Sequence, residues 1–102
     1  MREVVVHEPI GTPFQMRVWK EIRKIPFGET RTYREIAEAI GNPSSYRAVA
    51  NACGSNPIPI SVPCHRVIRS DGGVGGYSGP GGSSAKKILL AAEINIKNSR
   101  NT

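Results

Sequence analysis

Cys64, His65 and Arg66 stand in a row at the end of a proline-rich stretch. A thiol is a useful nucleophile only as the thiolate, and a neighbouring base or cation raises that fraction. The tripeptide therefore holds the ingredients of an activated sulfur. The run from Asn56 to Pro63 reads Asn-Pro-Ile-Pro-Ile-Ser-Val-Pro, which excludes helix and disfavours a central strand. A stiff, extended connector is expected there, delivering Cys64. Adjacent side chains of an extended segment point to opposite faces, so His65 would need a turn or a bridging water to serve Cys64. The residues alone leave two readings open, a reactive thiol or an inert buried cysteine beside a surface histidine. The other cysteine, Cys53, lies amid small residues late in a helical stretch, where packing suits it. Neither the two cysteines nor the two histidines, His7 and His65, show a zinc spacing, so no metal is expected.

Positioning such a site requires a scaffold, and the helix signals are clear. Thr12-Pro13-Phe14-Gln15 reads as a capping box with proline at the first helical position. Phe14, Val18, Ile22 and Ile25 then recur at helical spacing, with Met16 and Trp19 flanking the stripe, until Pro26-Phe27-Gly28 stops the helix. A second capping box, Thr32-Tyr33-Arg34-Glu35, opens a short helix through Ile40 that ends at Gly41. After the Asn42-Pro43 turn, a third helix is expected from about Ser44 to Cys53. Two helices joined in this way suit either a helix-turn-helix or an ordinary helical hairpin. Residues 72 to 82 carry seven of the eleven glycines and predict a tightly turned loop. Ser83 or Ser84 caps a last helix with Ile88, Leu89, Ala92 and Ile94 as its expected core, and a frayed polar tail follows from Lys97. Residues 2 to 6 read as a short strand or loose arm. The expected fold class is mainly α with short extended segments: one small helical domain with a single core and a winged-helix-like helix-turn-helix.

The chain has 102 residues, which allows one core and no second module. With 38% hydrophobic and 22% charged residues it is neither disordered nor membrane-spanning, and Met1 to Glu8 lack the apolar core of a signal peptide. Fourteen Lys and Arg against eight Asp and Glu give a net charge of +6. An excess of this kind speaks of polyanionic partners. No acidic residue falls between Glu38 and Asp71, whereas Arg47, Arg66 and Arg69 do. That acid-free stretch favours DNA as the partner of the helix pair.

Val62-Pro63-Cys64-His65-Arg66-Val67 resembles the Pro-Cys-His-Arg-Val signature of the O6-alkylguanine-DNA alkyltransferases. Gly11-Thr12-Pro13-Phe14-Gln15, Phe27-Gly28-Glu29, Thr32-Tyr33, Gly41-Asn42-Pro43, Arg47-Ala48-Val49, Asn56-Pro57 and Gly76-Tyr77-Ser78-Gly79 resemble the same family in the same order. The resemblance covers the family's C-terminal domain. It implies residues 1–10 as an N-terminal arm, 11–95 as the DNA-binding and alkyl-acceptor domain, and 96–102 as a flexible C-terminal tail. It implies Cys64 as the alkyl acceptor, His65 as the base acting through a water, Glu93 as the carboxylate polarising that histidine, and Asn56 as shaper of the turn beneath. Arg47 would fill the vacated base stack and Tyr33 would crowd the phosphate. Ser45, Tyr46, Ala48 and Asn51 would complete the DNA-facing surface. Pro63, Tyr77, Ser78 and Lys86 would line the substrate pocket.

The implied reaction is single-turnover transfer of an alkyl group from O6 of guanine to Cys64, with no cofactor. The implied partner is double-stranded DNA containing O6-alkylguanine, bound by a monomer in the cytoplasm at the nucleoid, or in the nucleus of a eukaryote. The nucleotide must leave the stack for a sulfur to reach O6. Three departures stand out. The family's usual N-terminal domain is expected to be absent, the loop after Tyr77 is longer and richer in glycine, and Ala50 and Asn51 replace frequent glycines. The alternative is an alkyltransferase-like protein that binds the lesion and flags it without chemistry. That group shares the compact length but usually carries Trp at the cysteine position, so Cys64 favours transfer. A sequence-specific regulator is the weakest reading, for want of a dimerisation element.

Overall fold

The computed structural model describes residues 10–58, 62–77 and 79–100. The expectations for residues 1–9 and for Ser78 lie outside them. Helix α1 is Pro13–Ile22, followed by β1 (Arg31–Thr32), α2 (Tyr33–Ala39) and α3 (Tyr46–Gly54). A 3-10 turn, Cys64–Arg66, then leads into β2 (Val67–Ile68), and α4 (Gly82–Arg100) closes the order. The protein is thus small and mostly helical with one short strand pair.

Both predicted capping boxes form. The Thr12 N–H donates to Gln15 Oε1 at 2.9 Å and the Gln15 N–H to Thr12 Oγ1 at 3.1 Å. The Thr32 N–H donates to Glu35 Oε1 at 2.7 Å and the Glu35 N–H to Thr32 Oγ1 at 3.0 Å. Each box satisfies helix-end donors that would otherwise have no partner. At the far end of α2, the Gly41 N–H meets the Glu38 carbonyl at 3.0 Å and the Asn42 N–H meets that of Ala37 at 2.9 Å. Gly41 has φ +82°, the left-handed geometry this helix stop demands. The Ser45 N–H bonds the Asn42 carbonyl at 2.9 Å, so the turn consumes Ser44 and α3 begins later than its sequence suggests.

α1, α2 and α3 pack on one another around Val18, Ile22, Ile36, Ala37, Val49 and Ala52. Each fully buried large apolar side chain here contributes about 1.5–3 kcal/mol. Trp19 belongs to this core, and its Nε1 donates to the Ala52 carbonyl at 2.9 Å, pinning α1 to the last turn of α3. Met16 stays largely exposed. β1 and β2 pair in parallel, Arg31 opposite Val67 and Thr32 opposite Ile68. That small pairing matters for function, because it sets the turn at Cys64–Arg66 against the start of α2.

Three expectations are corrected. Cys64 and His65 are not extended. The Cys64 N–H reaches back to the Val62 carbonyl at 2.7 Å around Pro63 (φ −78°, ψ 63°), an inverse γ-turn, and the Arg66 N–H bonds the Pro63 carbonyl at 2.9 Å. Proline's fixed φ redirects the chain and starts the 3-10 turn. Next, α4 does not bury the face of Ile88 and Ala92. Ile88 is 70% exposed, Ile94 is also exposed, and Lys86, Leu90 and Glu93 face inward because their partners lie on the turn and loops beneath. Finally, residues 96–100 continue α4 instead of forming a tail, with Lys97 Nζ reaching Glu29 Oε2 at 3.4 Å.

Candidate active site and nucleic-acid interface

The 3-10 turn carries Cys64 and His65 into the core, at 1% and 2% exposure. The surface-histidine reading is thereby excluded. Asn56 holds Cys64 from below: its Nδ2 donates to the Val62 carbonyl at 2.8 Å and to Cys64 Sγ at 3.3 Å, while its Oδ1 accepts from the Ile58 N–H at 3.0 Å. Pro63 is buried as the pivot of the turn.

His65 Nε2 lies 2.6 Å from Glu93 Oε2. Glu93 also accepts from Arg66 Nε at 2.8 Å, Arg66 Nη2 at 3.1 Å and the Gly28 N–H at 3.4 Å. Burial works to raise the Glu93 carboxyl. The Arg66 and His65 hydrogen bonds outweigh it and hold the group down at about 2. An ionised Glu93 accepts a hydrogen bond from the Nε2–H, which leaves Nδ1 as the ring nitrogen with the free lone pair. Nδ1 is buried with no hydrogen-bond partner among the described residues. The tautomer thus leaves one lone pair inside the site.

On the other side of Cys64, Lys86 is completely buried. Its Nζ donates to Tyr33 Oη at 3.2 Å and to the Gly76 carbonyl at 3.1 Å, above the Tyr33 ring. Burial lowers the Lys86 pKa, the thiols opposing, and raises Tyr33 to about 12, so the phenol keeps its proton. Gly75 passes so near that a Cβ would lie 2.3 Å from Tyr33 Oη; only glycine allows this approach. Tyr77 stands edge-on to His65 at 6.5 Å between ring centroids. The Cys64 thiol sits below its ordinary range. A hydrogen bond from Cys53 contributes most, Asn56 and Lys86 add to it, and burial opposes.

α3 divides by face. Arg47, Ala48 and Asn51 are exposed, Ser45, Tyr46 and Ala50 half-buried, and Val49, Ala52 and Cys53 inside. The Arg34 guanidinium stacks on Tyr46 at 4.5 Å. An open depression of about 450 Å³ lies against this face, lined by Tyr46, Arg47, Ala50, Asn51, Arg69, Tyr33 and Gly75–Gly76. Tyr33 belongs both to its wall and to the Lys86 cluster. The structure therefore brings Cys64, His65, Glu93 and Asn56 into one cluster, sets Lys86, Tyr33 and Tyr77 beside it, and leaves Arg47 and its neighbours along the open depression.

Arg66 is where the sequence reading failed. It was counted with the basic surface, yet it turns inward onto Glu93, the Ile25 carbonyl at 3.0 Å and the Phe27 ring. Nothing local in the sequence reveals this, since Glu93 lies 27 positions away. Cys53 is buried in the core, as its small-residue neighbours suggest. Among the described residues no group of three or more His, Cys, Asp or Glu is placed to hold a metal ion, and no helix is long and apolar enough to cross a membrane.

A small three-helix core presenting a helix-turn-helix, with a buried Cys-His-Glu cluster behind it, defines the class. The sequence pattern of 6-O-methylguanine DNA methyltransferase, DNA binding domain, matches residues 13–95. The chain is 55% identical over 87 residues to the methylated-DNA--protein-cysteine methyltransferase of Methanosarcina barkeri, covering 85% of this chain and 54% of that one. The structure of Mycobacterium tuberculosis OGT in complex with DNA superposes with a TM-score of 0.80 at 53% identity, over 84% of this chain and 52% of that one. S. pombe Atl1 in complex with damaged DNA containing O6-carboxymethylguanine gives a TM-score of 0.70 at 35% identity, over 78% and 74%. The chain belongs to the 6-O-methylguanine DNA methyltransferase family, by way of its DNA-binding domain. It spans about half the length of the curated relatives it matches.

Proposed function

We propose that this chain repairs DNA directly, moving an alkyl group from O6 of guanine to Cys64 once per molecule. The observation that carries the reading is the acceptor's setting: a buried thiol held toward its thiolate between the His65–Glu93 pair and Lys86. His65 Nδ1 takes the thiol proton, directly or through a bridging water. The sulfur then attacks the alkyl carbon, the S–C bond forms as the C–O6 bond breaks, and the electron pair leaves with the guanine. The thiol proton ends on that guanine, so no cofactor is consumed. Lys86 and Tyr33 stabilise the charge that develops around sulfur and base.

The target nucleotide leaves the duplex and enters the depression beside Tyr33, at a cost of a few kcal/mol. Arg47 is exposed along that depression, from where it can occupy the emptied stack and offset part of that cost. Duplex DNA carrying O6-alkylguanine is the partner this arrangement fits. The flagging alternative needs no nucleophile, and the cluster built around Cys64 argues against it. The test is the intact mass of the protein after incubation with a duplex containing O6-methylguanine. One added methyl mapping to Cys64 is expected. Lesion binding without any mass gain would overturn the proposal in favour of flagging.

A further inference from the structure

We infer that Arg66 is a positioning residue that keeps His65 neutral: its guanidinium answers the charge of Glu93, so the imidazole need not take a second proton to do so. The inference rests on the reading of His65 as the base for Cys64, and it names what leaves Nδ1 open.

The fold sets two groups able to carry positive charge on one carboxylate. Arg66 grips both oxygens of Glu93, Nε donating to Oε1 at 2.8 Å and Nη2 to Oε2 at 3.1 Å. His65 Nε2 meets the same Oε2 at 2.6 Å. The guanidinium fork is itself fixed by the chain just after α1. Its Nη1 donates to the Ile25 carbonyl at 3.0 Å, and its centre lies 5.5 Å from that of the Phe27 ring. From the same segment the Gly28 N–H reaches Oε1 at 3.4 Å. Arg66 is therefore aimed at Glu93 by contacts that do not involve His65.

An arginine stays protonated throughout the working range, whereas a histidine changes its charge within it. With Arg66 in place, a neutral His65 leaves the cluster without net charge. An imidazolium would leave a surplus positive charge in a largely buried site. Without Arg66 the balance inverts, and the imidazolium becomes the form that matches Glu93. Burial adds a second penalty. No acceptor among the described residues meets Nδ1, so an imidazolium would bury an unanswered N–H there. The other titratable groups around the turn do not replace Arg66. Lys97 of α4 pairs with Glu29 at 3.4 Å, and Lys86 of α4 donates to Tyr33 and the Gly76 carbonyl. Tyr77 stands edge-on to the ring, and Cys64 precedes it on the turn.

The test follows the His65 ring nitrogens by NMR against pH. Cys64→Ser removes the titrating thiol, and His7→Gln leaves one histidine to observe. With Arg66 present, the ring should show a protonated Nε2 and a bare Nδ1 at neutral pH. Arg66→Met should raise the midpoint of proton uptake at Nδ1 by about one to two pH units. Glu93→Gln should lower it, and the double variant should return it close to the starting value, which a merely structural role would not do. An unmoved midpoint in folded Arg66→Met, or a doubly protonated ring at neutral pH with Arg66 present, would overturn the inference. Should Arg66→Met fail to fold, Glu93→Gln and the double variant decide. Losing Arg66 should raise the midpoint between those two, and equal midpoints refute the inference. With Cys64 restored, the acid limb of methyl transfer from a duplex containing O6-methylguanine should move with the Nδ1 midpoint. If no methyl is taken from DNA while the midpoint still follows Arg66, alkyl transfer fails and the charge balance stands.

Discussion

Two polar clusters flank Cys64, and they are built on opposite principles. On one side, Glu93 collects donors from His65, Arg66 and the Gly28 N–H, so its charge is answered from three directions. On the other, the buried Lys86 rests on a phenol and a carbonyl, with no carboxylate among the described residues bonded to it. The first cluster is electrically complete and holds the turn to α1 and α4. The second contains a cation that favours an anion at Cys64. A site needs both kinds, one to keep its geometry and one to favour the charge the reaction makes.

The largest expected effect comes from breaking the complete cluster. Glu93→Gln leaves the Arg66 guanidinium without its counterion, and removing one partner of a buried pair typically costs about 3–5 kcal/mol. Arg66 is somewhat solvent-exposed and keeps the Ile25 carbonyl, so about 2–3 kcal/mol is expected, read from the urea midpoint. A loss below about 0.5 kcal/mol would make the clamp ornamental.

The same carboxylate sets an acid limit. Its folded pKa is depressed to about 2 from an ordinary 4.5, so its contribution is complete above pH 4.5 and lost as pH falls toward 2. Stability of the native protein should therefore decline through that window, measured as urea midpoints at a series of pH values. Glu93→Gln should flatten the decline. An unchanged slope in the variant would show that other carboxyls govern acid unfolding.

Lys86→Met sharpens the contrast. No charged partner is orphaned by it and a desolvated cation is replaced by an apolar chain of similar length, so stability should change by less than about 1 kcal/mol. Chemistry should suffer instead: methyl transfer at neutral pH falls about tenfold for each unit by which the Cys64 thiol rises. A loss of stability as large as that of Glu93→Gln would erase the distinction between the clusters.

Arg47→Ala lies outside both clusters and should leave the urea midpoint unchanged, as befits an exposed position. Losing about 1.4 kcal/mol of support for the extruded nucleotide would lower transfer from duplex roughly tenfold. Transfer from the free modified base should hold, and the salt slope of duplex binding should fall by about one. Equal slowing of both substrates would place Arg47 in the pocket or the fold.

Local chemistry made much of this legible in advance. The capping boxes at Thr12 and Thr32, the stop at Gly41 and the apolar stripe of α1 are signals between residues three or four apart. Cys64, His65, Asn56 and Glu93 were nominated through a resemblance of ordered motifs, and the structure gathers all four into one cluster. The apolar pattern of α4 pointed to the wrong face, because Ile88 is apolar but has nothing to pack on, whereas Lys86 and Glu93 find partners below.

By itself, then, the sequence determined the helices, their caps and the basic balance, and nominated Cys64 as a nucleophile, since each depends on near neighbours or on residue identity. Tertiary structure alone decided that Pro63 bends Cys64 and His65 into a turn, and that Arg66 turns inward onto Glu93. The physical reason is the same in each case. Hydrogen bonds and ion pairs between distant segments form only once packing has chosen which faces meet, and burial then gives those few contacts their strength.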